Sequence, residues 1–144
     1  MDTALITTIL LFLHLLALVF GGAASIGMGA IGRLMPTATP EQRLGYFKLG
    51  NILVTNGRAA LVVLLITGPL MIWLKYGGGA GLSWWFSLKM VLVVVMIIAT
   101  IVSGINFKRA EKGDMAAAKR ASQAGMVGGL SLLLIILAAT FAFN

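Results

Sequence analysis

Four long apolar stretches, residues 4–32, 56–75, 84–107 and 121–143, alternate with short polar connections along the chain. A helix needs ~20 predominantly apolar residues to cross the hydrocarbon of a bilayer, and these stretches are of that order. Lipid cannot satisfy the backbone of an open sheet, so apolar runs of this kind must be helices. The pattern therefore predicts an all-α fold: one integral membrane domain over residues 1–144, built as a four-helix bundle.

The punctuation between the stretches refines the elements. Pro36 stops the first helix, and Thr39 followed by Pro40 supplies an N-cap and a first helical position for the next. Residues 40–55 mix Leu44, Tyr46, Phe47 and Leu49 with Arg43 and Lys48, which predicts an interfacial segment lying in the headgroup region before the chain turns inward. Asn51, Thr55, Asn56 and Arg58 then belong to the lower end of the second span, where a long basic side chain can snorkel. Within that span Pro69 has no amide to offer the carbonyl of Leu65, so Gly68-Pro69 predicts a kink, formed either for packing or to shape a site. A turn over residues 77–81, with Ser83 capping the third helix, leads into Trp84 and Trp85. Together with Trp73 and Tyr76 these form an aromatic belt at one membrane face. Gly21, Ser25 and Gly29, spaced by four, and Gly125 with Gly129 give small-residue faces for close helix contact.

Composition agrees with the pattern. Hydrophobic residues make up 60% of the chain and charged ones 10%, far from soluble usage. The net charge of +7 does not indicate a nucleic-acid partner, because the basic residues sit between apolar runs without interleaved aromatics. Their placement speaks instead to orientation. Arg33, Arg43, Lys48, Arg58, Lys108, Arg109, Lys112, Lys119 and Arg120 lie on the connections after the first and third stretches, against Lys75 and Lys89 on the other side. The positive-inside rule makes those two connections cytoplasmic and puts both termini on the non-cytoplasmic side. The first stretch is too long for a signal-peptide core and has no basic residue before it, so it is expected to remain as an uncleaved helix.

Little chemistry is available inside the membrane. There is no cysteine, which excludes disulfides, iron–sulfur clusters and thiol catalysis. Asp2, Glu41, Glu111 and Asp114 all lie at ends or connections, so a carboxylate relay is not expected. The methionines are scattered and suit adaptable packing better than a copper track. His14, the single histidine, remains, about 15 Å into the first helix, with Lys89 about five residues into the third; both fall in the same half of the bilayer. An ionisable residue at such depth is a functional candidate by default. A neutral imidazole can ligate haem iron, an ammonium can pair with a propionate, and nearby glycines leave room for a flat macrocycle. Haem b fits best, since no Cys-x-x-Cys-His attachment motif exists. His14 is then the metal ligand, with the iron five-coordinate, completed by Lys89 or a methionine, or completed by another subunit. The plainer readings stand beside this one: His14 as a hydrogen-bonded packing residue, and Lys89 as a side chain snorkelling past Trp84 and Trp85.

Leu13-His14-Leu15-Leu16 followed by small residues, Gly57-Arg58 through Gly68, and Trp85-Phe86-Ser87-Leu88-Lys89-Met90-Val91-Leu92-Val93 together resemble the small four-helix membrane proteins of the HemJ-like and copper-resistance D-like group. The resemblance covers most of the chain and is strongest in the third of these stretches. It implies haem b bound by His14 and Lys89, a catalytic part for Lys89, a HemJ-type oxidoreductase activity, and residence in a bacterial inner (cytoplasmic) membrane. The chain departs from that group at Ile26-Gly27-Met28-Gly29-Ala30-Ile31-Gly32, where the group has aromatics and a further histidine. It departs again at Gln123-Ala124-Gly125-Met126-Val127-Gly128, in place of an Asn-Glu-x-Pro-like opening. The alternative is a non-enzymatic accessory subunit that uses its small-residue faces to form a homo-oligomer or join a larger membrane complex.

Overall fold

The chain's polar punctuation becomes its helix ends. In the computed structural model, which describes residues 2–77 and 84–142, α1 spans Thr3–Leu34, a single 3-10 turn covers Met35–Thr37, and α2 spans Pro40–Tyr76. The remaining helices are α3, Trp84–Glu111, and α4, Met115–Ala142. Each of the four has the length and apolar character to cross a membrane, and the protein is a multi-pass, all-α membrane protein.

Thr39 starts α2 as its sequence context implies, through a reciprocal capping box: the Gln42 amide donates to Thr39 Oγ1 at 3.3 Å and the Thr39 amide to Gln42 Oε1 at 2.9 Å. Beyond that cap the structure corrects the expectation. Residues 40–55 do not turn before the span but continue into it as one helix of 37 residues. Once capped, nothing in this stretch breaks the ladder, since Gly45, Gly50 and Gly57 are isolated single glycines. At 1.5 Å per residue α2 is about 55 Å long, well beyond the ~30 Å hydrocarbon thickness. The connection between α3 and α4 is likewise shorter than expected. α3 reaches Glu111, Gly113 turns the chain at φ 105°, and Asp114 Oδ1 accepts from the Ala117 amide at 3.1 Å to start α4. Gly77 ends α2 in the left-handed region at φ 58°, whereas residues 78–81, the cap expected at Ser83, and Phe143 at the end of the fourth stretch lie outside the described residues.

Small residues set the packing. Along α1 and α2, Gly21 meets Ala60, Ala24 meets Gly57, and the space beside Gly27 is filled by Leu53, so the two helices run antiparallel at close approach. Ser25 packs on Gly129 and Gly32 on Ser122 to join α1 to α4. α3 and α4 are joined by Ala99 against Gly128 and by the Ser103 hydroxyl, which donates to the Ala121 carbonyl at 3.0 Å. α1 thus packs against α2 and α4, and α4 against α3.

That order leaves α2 and α3 as the loosely joined pair, and the contacts described between them gather towards the end carrying the basic connections. There the Phe107 ring occupies the space beside Gly50 and meets Phe47 edge-on at 5.6 Å. One turn on, Asn51 Nδ2 donates to Glu111 Oε1 at 3.2 Å. Arg58, expected at the lower edge of the span, stands midway along α2 and lays its guanidinium over Gly104 of α3. Towards the opposite, tryptophan-bearing end, a cavity separates the two helices.

Candidate functional site

The antiparallel register of α1 and α2 brings His14 beside Gly68, where an added Cβ would stand 3.6 Å from the imidazole Cε1. It also brings the ring to Thr67, whose side chain is buried. His14 Nδ1 lies 2.8 Å from Thr67 Oγ1, and the Thr67 hydroxyl in turn donates to the Val63 carbonyl at 2.7 Å. A threonine hydroxyl has one hydrogen, and here the backbone takes it. The tautomer that satisfies both contacts carries its proton on Nδ1 and donates it to Thr67 Oγ1. In the neutral ring this leaves Nε2 with its lone pair, and among the described residues no hydrogen bond engages it.

His14 and Lys89 line the same two cavities, which share much of their walls. The first, about 310 Å³, lies between α2 and α3; Leu61, Leu64, Met96 and Ile135 are among its walls, and Gly68 and Pro69 border it. The second, about 430 Å³, rises towards the tryptophan-bearing end and is bordered by Thr7, Lys75 and Thr140. Both volumes fall in the ~300–1,000 Å³ range of small-molecule sites. The two polar side chains thus stand where the space between α2 and α3 meets the one that leads to the tryptophan-bearing end of the bundle.

The structure brings together the residues the sequence singles out. His14, Lys89, Gly68 and Pro69, from three helices, surround one space, and Met90 and Met96 line it as well. Trp85, placed in the aromatic belt, stacks on Phe141 at 5.1 Å near the same end, while Trp73 and Trp84 face outward. Sequence reasoning passes over Thr67. The signal was present, since Thr67 is the one polar side chain between residues 59 and 74, but only the pairing of α1 with α2 gives that hydroxyl an imidazole to hold.

Gly29 is the exception among the glycines of α1, because an added Cβ there would meet nothing within 4 Å. Gly21, Ser25, Gly125 and Gly129 are already in use inside the bundle. Comparison of the chain with protein-family models, with curated proteins and with solved structures finds no match.

Proposed function

We propose that this is a haem b-binding membrane protein of the HemJ-like kind, with a redox or porphyrin-related role in a bacterial inner membrane. The basic connections face the cytoplasm and both termini face outward. The observation that carries the reading is the His14–Thr67–Val63 chain of contacts, which suits a proton on Nδ1 and a lone pair on Nε2 beside a cavity. A histidine that ligates a metal almost always gives its other N–H to such a partner.

Haem suits these residues better than a bare metal ion. Among the described residues no group of three or more His, Cys, Asp or Glu could hold an ion. A porphyrin brings four nitrogens of its own and asks the protein for a single axial imidazole. His14, Lys75 and Lys89 all line the cavity towards the tryptophan-bearing end, and lysine is a residue type that pairs with propionates. Lys89, Met90 and Met96 line the adjoining space and would hold the group from that side. Bound there, the haem would supply one-electron chemistry. The protein's own part is to hold the imidazole in one tautomer and to keep bulk water from the iron behind apolar walls.

Protein purified from cells supplied with haem should carry a Soret band, and a colourless preparation under those conditions sinks the proposal. Thr67→Val should weaken haem binding by about 10–100-fold, the usual cost of removing a partner behind a metal-ligating histidine, whereas Thr67→Ser should retain most of the affinity. Equal affinity of all three proteins in a haem titration would remove Thr67 from the site.

A further inference from the structure

We infer that the seam between α2 and α3, at the end carrying the basic connections, is a binding site for a net-anionic phospholipid whose phosphodiester is held by Arg58 with Lys108 beside it. The inference goes beyond the proposed function and is independent of what occupies the space at His14.

Helix geometry sets the level of this seat. Gly104 stands about 20 residues along α3 from Trp84, or ~30 Å, which is one hydrocarbon thickness. With the tryptophans in one headgroup layer, Arg58, whose guanidinium lies over Gly104, reaches the other. The half of α2 that precedes Arg58 then extends past the hydrocarbon, and lipid phosphate is the group a side chain at this depth meets.

Two contacts fix the register across the seam, Arg58 with Gly104 and Asn51 with Glu111. Lys108 falls between them, one turn beyond Gly104 on the same face of α3, and is exposed. Glu111, the carboxylate of this seam, stands about 10 Å from Gly104 along the helix and already accepts from Asn51. Arg58 is exposed, and among the described residues its guanidinium makes no hydrogen bond or ion pair. Gly104 has no side chain to lift that group away from α3. The guanidinium therefore lies across the seam with its five N–H donors unused by the protein, a fork that matches two phosphate oxygens.

The rest of the lipid follows from the surroundings. Towards the tryptophan-bearing end, Val62 on α2 and Ile101 on α3 are exposed and Ile97 partly so, an apolar surface for an acyl chain. A choline or ethanolamine headgroup would bring its own cation against Arg58 and Lys108. A phosphatidylglycerol headgroup brings none, so charge selects the anionic class, and basic pockets between spanning helices are a recurrent way of holding such headgroups.

The chain has no cysteine, so single fluorescent probes can be placed. Ile97→Cys lies two turns from Gly104 on the same face of α3. Val127→Cys is exposed on α4 at a similar depth, which the contacts of Ser103 with Ala121 and Ala99 with Gly128 establish. Each is labelled with bimane and placed in phosphatidylcholine nanodiscs. Phosphatidylglycerol brominated along its acyl chains should quench the Ile97 probe about fivefold more effectively than brominated phosphatidylcholine, and the Val127 probe equally well. That comparison needs no change at the seat. The preference at Ile97 should vanish in Arg58→Gln and persist in Arg120→Gln, which removes one charge at the same depth on α4, outside the seam; helical circular dichroism should be the same in both. Equal preference at the two probes, or equal loss in the two charge variants, shows a diffuse positive field and overturns the inference. Preference retained in Arg58→Gln overturns it as well. A preference that inorganic phosphate cancels assigns the seat to a free anion and likewise overturns it.

Discussion

His14→Ala should abolish the Soret band, with loss of more than about 100-fold in haem affinity, beyond the ~10–100-fold that loss of Thr67 behind the ligand would cost. The reason for the difference lies in what each change removes. Without Thr67 the imidazole remains and can still present Nε2 in a fraction of its orientations. Without His14 no other imidazole exists in the chain to take its place. The fold should tolerate the change. His14 is only half buried, and the α1–α2 interface continues below it through Gly21 with Ala60 and Ala24 with Gly57. Its interhelical hydrogen bond is of a kind that contributes only ~0.6–2 kcal/mol in membranes. The check is a haem titration of wild type and His14→Ala in the same detergent, with helical circular dichroism and gel-filtration volume as controls for folding. A His14→Ala protein that keeps its band moves the iron ligand elsewhere and removes the central support for the proposed function.

Gly50→Ala should be the most damaging small change at the junction of α2 and α3, costing about 1–3 kcal/mol in the manner of an overpacked core. A methyl group there would overlap the Phe107 ring, which is 3% exposed and pinned on its other side by Phe47. A buried ring cannot swing aside as the free end of a lysine or arginine can. The helices must separate instead, at the end where they are held together. Gly104→Ala makes a useful contrast, since the atom in the way there is the tip of the Arg58 guanidinium, which can shift cheaply. Unfolding in a mixed-micelle denaturant titration should therefore move clearly towards lower denaturant for Gly50→Ala and little for Gly104→Ala. Pairing Gly50→Ala with Phe107→Leu should recover part of the loss. Equal stability of both single variants would show that the Phe107 wedge does not hold the junction.

Much of the architecture was legible because lipid leaves a chain few choices. Runs such as residues 84–107 can only be helices in a bilayer, and the Thr39-Pro40 start and the Gly77 stop are local chemistry that does not wait for tertiary contacts. The extent of α2 was not legible. The mixture of Arg43, Lys48 and aromatics in residues 40–55 reads as interfacial on composition, while the backbone's tendency to propagate a capped helix carries it on unbroken into the span. That the Arg58 guanidinium sits over Gly104 was not legible either, since the two lie on different helices.

The candidate site divides along the same line. His14 and Lys89 stand out in the sequence because ionisable groups inside apolar runs are costly, and that cost is a property of the residues alone. Which hydroxyl holds the imidazole, which nitrogen keeps its lone pair, and that the two residues share cavities of about 310 and 430 Å³ depend on the register of α1 against α2 and on the loose pairing of α2 with α3. Register between apolar helices is set by how small residues interlock across an interface. No single stretch of the chain contains both sides of that fit, so four spanning helices and two polar residues within them can be read along the chain, whereas the meeting of those residues at shared cavities follows only from how the helices interlock.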